Sequence, residues 1–96
     1  MNAEQAFSLH PGAAQDIIDI WEFILEDNPL AARRVREDIL HAIRKLVPFP
    51  QQGRKRPDLT VKPLRFQTVR NYIIAYAPDE KPLVVMQCFT VVAALG

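Results

Sequence analysis

The sequence predicts an α+β fold of order β-α-α-β-β-β, a helical hairpin packed on a small antiparallel sheet. Three observations carry that expectation. Two amphipathic helical stretches follow one another across a single Asn-Pro break. Three apolar runs with strand character come after them, and runs of helices followed by runs of strands belong to the α+β class. Charge is also polarised along the chain. From Arg54 to Arg70 six cations face one anion, Asp58, whereas residues 1–53 carry five cations and eight anions.

The elements follow in order. Ala6-Phe7-Ser8-Leu9 alternates weakly and predicts one short strand. His10-Pro11 punctuates it, and Pro suits the first helical position. Ala13, Ile17, Ile20, Trp21 and Ile24 recur at helical spacing while Asp16, Asp19, Glu22 and Glu26 fall largely off that stripe. This predicts a helix from Pro11 to Asp27 whose acids are ordinary solvation. Asn28-Pro29 ends it and starts the next, Asn as N-cap and Pro at N1. The second helix runs from Pro29 to Val47 on a stripe of Ala32, Val35, Ile39, Ile43 and Leu46. Arg33 with Glu37 and Arg34 with Asp38 are expected to pair at four-residue spacing, each worth a few tenths of a kcal/mol. So short a connection predicts an antiparallel helical hairpin.

Pro48-Phe49-Pro50 stops that helix and Gln51-Gln52-Gly53 leads out of it. Lys62 to Val69 reads as a strand with Leu64, Phe66 and Thr68 on one face, Arg65 and Gln67 on the other. Arg70-Asn71 reads as a tight turn in which Asn accepts positive φ. Tyr72 to Ala77 places Tyr72, Ile74 and Tyr76 on one face and Ile73 and Ala75 on the other. A polar turn over residues 78–82 leads to a last strand, Leu83 to Val92.

Composition narrows the class. The 96 residues predict one domain over the whole chain, and 49% hydrophobic with 24% charged content is that of a soluble globular protein. A lone Cys88 implies a reducing compartment, and the N-terminus has no signal-peptide pattern, so a cytoplasmic location is expected. The chain calls for no metal or cofactor. His10, His41 and Cys88 lie in separate elements, and the three glycines form no phosphate loop. Cys88, in an apolar strand, reads as a small core residue. The basic stretch stays open to three readings: contact with nucleic-acid phosphates, contact with an acidic protein surface, or pairing with the acidic helices of the same chain. Tyr72 and Tyr76 are either core residues with a wet hydroxyl or platforms on which bases stack, and Trp21 is either helix-to-sheet core or an anchor for a bound partner.

Three segments carry a resemblance. DIIDIWEFILEDNP in the first helix, AIRKLVPFPQQGRKRPDL closing the second, and LRFQTVRNYIIAYAP in the strands follow in the order of the ParE branch of the RelE/ParE toxins. Together they cover roughly residues 7–89. The resemblance implies a bacterial type II toxin neutralised by a ParD-like ribbon-helix-helix antitoxin, which would carry the contact to DNA. ParE relatives act on DNA gyrase by binding, which makes catalytic residues unnecessary. Arg54, Arg56, Arg65 and Arg70 would then form the face for target or antitoxin, with Trp21, Tyr72 and Tyr76 as support or anchors. RelE relatives instead cut mRNA on the ribosome, which here would fall to Arg65, Arg70 and Tyr72 or Tyr76. The final stretch LVVMQCFTVVAALG holds no Arg, Lys, His or Tyr, which counts against that chemistry. It also departs from ParE relatives, since Gln87 or Cys88 falls where an arginine is expected. A third reading is therefore an attenuated toxin kept as an antitoxin-binding module, its apolar Phe89, Val91, Val92 and Leu95 packing on the chain or a partner.

Overall fold

The computed structural model describes residues 7–95. Ala6, the first residue of the expected N-terminal strand, and the side chain of Leu95 lie outside what it describes. Strand β1 (Phe7–Leu9) leads into helix α1 (Pro11–Leu25) and helix α2 (Pro29–Leu46). Strands β2 (Arg65–Val69), β3 (Tyr72–Ala77) and β4 (Leu83–Thr90) follow, then a short helix α3 (Val91–Leu95). The sheet order is β1-β4-β3-β2. The last three strands are antiparallel as expected, and β1 joins β4 in parallel, so the sheet is mixed.

The helical hairpin is built as its sequence requires. Asn28 is extended, and its side-chain oxygen accepts the Ala31 N–H at 3.0 Å, satisfying an otherwise orphan donor at the start of α2. Asn28→Ala is expected to lower stability by about 1 kcal/mol in denaturant titration. Ala32, Val35, Ile39, Ile43 and Leu46 of α2 are all buried, the predicted stripe without exception. Ile39, Ile43 and Leu46 are almost wholly inside, each contributing roughly 1.5–3 kcal/mol of burial free energy. They meet Ala13 and Ile17 of α1 and Ile74, Tyr76, Leu83, Val85 and Cys88 of the sheet.

A β-bulge decides the register of β4. Ala75 pairs with Gln87 but Tyr76 pairs with Val85, leaving Met86 as the extra residue. Val85 and Cys88, three apart, therefore both face the helices and are both buried. Without the bulge the period of two would put them on opposite faces. Gln87 opposes Ala75, on the face away from the helices, and is exposed.

That second face is partly covered too. Phe66, Ile73 and Ala75 are buried beneath Leu59, Leu64, Phe89 and Val91. The last strand stops at Thr90 rather than Val92. The Thr90 hydroxyl accepts the Ala93 N–H at 3.2 Å, an N-cap that turns the Val-Val-Ala-Ala-Leu run into α3. The first strand of the hairpin begins at Arg65 rather than Lys62, because Pro63 has no N–H for a ladder and the Leu64 N–H turns back to the Lys62 carbonyl at 2.8 Å.

Cys88 is in the core, as its surroundings in sequence suggest. Burial, and secondarily the Asp16 carboxylate, push its thiol up to about 12. The unfolded thiol ionises near 9, so the folded state keeps a proton that the unfolded state loses. Stability from this group is intact below pH 9 and falls as pH rises toward 12. Iodoacetamide at pH 8 is expected to label Cys88 only in denaturant; rapid labelling of the folded chain would contradict its burial.

Candidate functional site

The basic stretch begins as a strap along the outer edge of β2. The Arg54 N–H donates to the Phe66 carbonyl at 2.9 Å and the Phe66 N–H to the Arg54 carbonyl at 2.8 Å, one antiparallel bridge. Two side chains clasp the residues before it. The Tyr76 hydroxyl donates to the Pro50 carbonyl at 2.7 Å and accepts the Gly53 N–H at 2.8 Å. Arg65 Nη1 donates to the Gly53 carbonyl at 2.8 Å. A Cβ on Gly53 would lie 2.5 Å from the Tyr76 hydroxyl, so glycine is required here by close approach.

Beyond the strap, Pro57 and Pro63 bracket a loop held by turns. The Leu59 and Thr60 N–H groups both donate to the Arg56 carbonyl, at 2.9 and 3.2 Å. The Arg56 guanidinium grips Asp58 through two bonds, Nε to Oδ1 at 2.9 Å and Nη2 to Oδ2 at 2.7 Å. That mutual hydrogen bond, before any other cause, holds the Asp58 carboxyl below its usual value and lifts Arg56 above its own. Between this loop and Pro78-Asp79 lies a pocket of about 490 Å³, into whose lining Lys55, Arg56, Lys62 and Arg65 all enter. Pro57, Val61 and Leu64 supply apolar wall.

The four arginines marked out in the sequence do not form one patch. Arg56 and Arg65 line the pocket, while Arg54 stands exposed beside it. Arg70 is at the far end of β2, where Nε donates to Asp38 Oδ2 of α2 at 2.6 Å. That pairing corrects two expectations. Asp38 is taken by Arg70 across the fold rather than by Arg34, although Arg33 does pair with Glu37 at 3.2 Å. The left-handed residue of the turn is Arg70, at φ 53°, not Asn71. The strain of roughly 1–2 kcal/mol in a non-glycine residue is offset where the turn is tied down. Asn71 does so by accepting the Val91 N–H at 2.7 Å, and Arg70 by its ion pair.

The aromatic candidates separate as well. Tyr76 has no exposed surface, so it serves the strap from beneath and presents nothing to a partner. Burial raises its hydroxyl pKa, with the Gly53 N–H opposing. Tyr72 is half-buried against the main core. Trp21 is half-buried on α1 outside that core cluster, and Ile18 and Phe23 of the same helix are exposed. Asp16, expected to be a solvated acid, instead accepts the Cys88 N–H on Oδ2 at 3.0 Å where β1 has ended. Lys55 and Lys62 join the pocket although only arginines are expected there; the signal in the sequence is the pair Pro57 and Pro63 that brackets the loop.

On the sheet face away from the helical hairpin runs an open groove of about 870 Å³. Leu64, Phe66, Ala75, Met86 and Phe89 line it, with His10, Asp16, Asp58 and Lys62 among its polar groups. Among the described residues no group of His, Cys, Asp and Glu is arranged to hold a metal. Nor is any described helix long and apolar enough to cross a membrane.

The comparisons bear on this arrangement. Residues 7–87 match the family model described as the ParE toxin of the type II toxin–antitoxin system, parDE. The chain belongs to the ParE toxin family. A solved structure titled as the chromosomal ParDE TA system from P. aeruginosa superposes with a TM-score of 0.75 at 18% sequence identity. The superposition covers 93% of this chain and 98% of that one, and it shows that the ParE fold is shared. Comparison with the curated proteins gives no match. The family span closes at Gln87, inside the uncharged final stretch that begins at Leu83.

Proposed function

We propose that this ParE-family chain is a single toxin domain that acts in the cytoplasm by binding, inhibits DNA gyrase, and is neutralised by a ParD-like ribbon-helix-helix antitoxin. The observation that carries the reading is the make-up of the open sheet face. Cutting a phosphodiester requires several cations and an acid/base pair converging on one phosphate. The groove there is walled by Leu64, Phe66, Ala75, Met86 and Phe89, and Lys62 is the one permanent cation among its lining residues. The ParE resemblance, rather than the RelE one, agrees with this.

The basic pocket supports the same reading from the other side of the loop. Its cations stand beside apolar wall, which suits contact with a protein surface. Ile18, Phe23 and Leu30 remain exposed on the helical hairpin and offer apolar contacts to an antitoxin segment that folds as it binds.

Purified protein should abolish supercoiling by purified gyrase and leave mRNA intact in a ribosome-dependent cleavage assay. Cleavage without gyrase inhibition would overturn the proposal. Arg65→Ala with Arg70→Ala should relieve growth inhibition while the circular dichroism spectrum is kept. The spectrum is a necessary control, because both side chains also tie the fold together.

A further inference from the structure

We infer that the pocket between residues 51–65 and Pro78-Asp79 is a carboxylate-binding site for an acidic peptide segment, and that Asp58 occupies Arg56, one of its two arginines, until such a segment arrives. The inference rests on the binding reading above and deepens it by naming the chemistry of the ligand. Four cations reach one cavity of about 490 Å³ from different parts of the chain, Lys55, Arg56 and Lys62 from the loop and Arg65 from β2. Against them stand Asp79 in the wall and Asp58 on Arg56. Arg65 is fixed in place, since one of its N–H groups is bound to the Gly53 carbonyl and it is half-buried. The rest of its guanidinium fork is thus pre-organised for a carboxylate.

A nucleic-acid backbone fits these observations less well. The cations of the basic stretch are divided, Arg54 standing outside the pocket and Arg70 paired with Asp38 at the far end of β2, so the described residues offer no continuous basic track for a run of phosphates. The pocket is also concave and backed by Pro57, Val61 and Leu64, which offers room for an aliphatic side chain beside each carboxylate. Phosphates in a strand supply no such group. The ligand that matches is a segment in which acidic and aliphatic residues alternate.

Asp58 reads as an internal stand-in. Asp58 lines the neighbouring groove and not the pocket, so its two-bond contact holds the Arg56 guanidinium from outside; both partners are solvent-accessible, and releasing Arg56 to an incoming carboxylate demands no rearrangement of the core.

The test uses the full chain and a fluorescent peptide alternating Glu and Leu, with the Gln-Leu peptide and a single-stranded oligonucleotide as comparisons, read by anisotropy. The Glu peptide should bind more tightly than either, and rising salt should weaken it. Lys55→Gln with Lys62→Gln should weaken binding at least about threefold, and Asp58→Asn should strengthen it. Equal binding of the Gln peptide, tighter binding of the oligonucleotide, or an Asp58→Asn variant no tighter than the parent would each overturn the inference. Neither gyrase nor an antitoxin enters the measurement. A chain that inhibits gyrase but ignores the Glu peptide therefore sinks the pocket and leaves the toxin reading standing.

Discussion

Gly53→Ala is expected to destabilise the protein by roughly 2–4 kcal/mol, the sum of an overpacked contact and a buried hydrogen bond lost. In a chain of this size such a loss lowers Tm by on the order of 10 °C or more. The new methyl would sit 2.5 Å from the Tyr76 hydroxyl, 2.8 Å from the ring edge and 3.0 Å from the Phe66 carbonyl. The last of these is backbone and cannot step aside, and Tyr76 has no free volume to retreat into because it is fully buried. Relief must come from the strap, which carries the Gly53 N–H away from Tyr76 and the Gly53 carbonyl away from Arg65. Tyr76→Phe removes only the hydroxyl and leaves the Gly53 N–H and Pro50 carbonyl without their partner, at a cost of about 1–3 kcal/mol. The double variant should cost less than the two singles added, since the closest clash and the lost bond share one oxygen. Strict additivity, or a Gly53→Ala loss below about 0.5 kcal/mol, would mean that the strap does not hold the basic loop.

The order of elements was legible because it rests on local signals. Period 3.6 in α2 and the Asn-Pro break are properties of neighbouring residues, and every predicted stripe residue of α2 is buried. The alternation in β3 likewise separated Tyr72, Ile74 and Tyr76 from Ile73 and Ala75, and the fold turns the first set toward the helices. What the sequence did not disclose depends on partners far along the chain. Asp38 is four residues from Arg34 but is claimed by Arg70 across the fold. Positive φ falls on Arg70, whose guanidinium is tied to Asp38 across the fold. The candidate site was half legible for the same reason. Its net charge could be counted, but whether an arginine faces a pocket, a carbonyl or an aspartate is set by where β2 and the loop meet. Tyr76 illustrates the point. A tyrosine amid apolar neighbours reads either way until Pro50 and Gly53 are seen to take its hydroxyl.

The tail poses a question that the bulge at Met86 makes answerable. The ParE resemblance places an arginine at Gln87 or Cys88, and the two positions are not equivalent. Cys88→Arg would force a guanidinium into a site that is 3% exposed, among Ile17, Ile39, Ile74 and Val85. Desolvating that charge costs several kcal/mol, and Asp16, already accepting the Cys88 N–H, cannot compensate fully from a partly exposed position. The expected loss exceeds about 4 kcal/mol and should leave little folded protein at 37 °C. Gln87→Arg adds the same charge to an exposed position on the open face, opposite Ala75, and should change stability by no more than about 0.5 kcal/mol. Thermal denaturation of the two variants side by side measures the difference. Since only Gln87→Arg keeps the fold, any change it makes in the proposed gyrase inhibition reports tail charge and not stability. A folded Cys88→Arg protein of unchanged Tm would require position 88 to face solvent, which the register can supply only by losing the bulge.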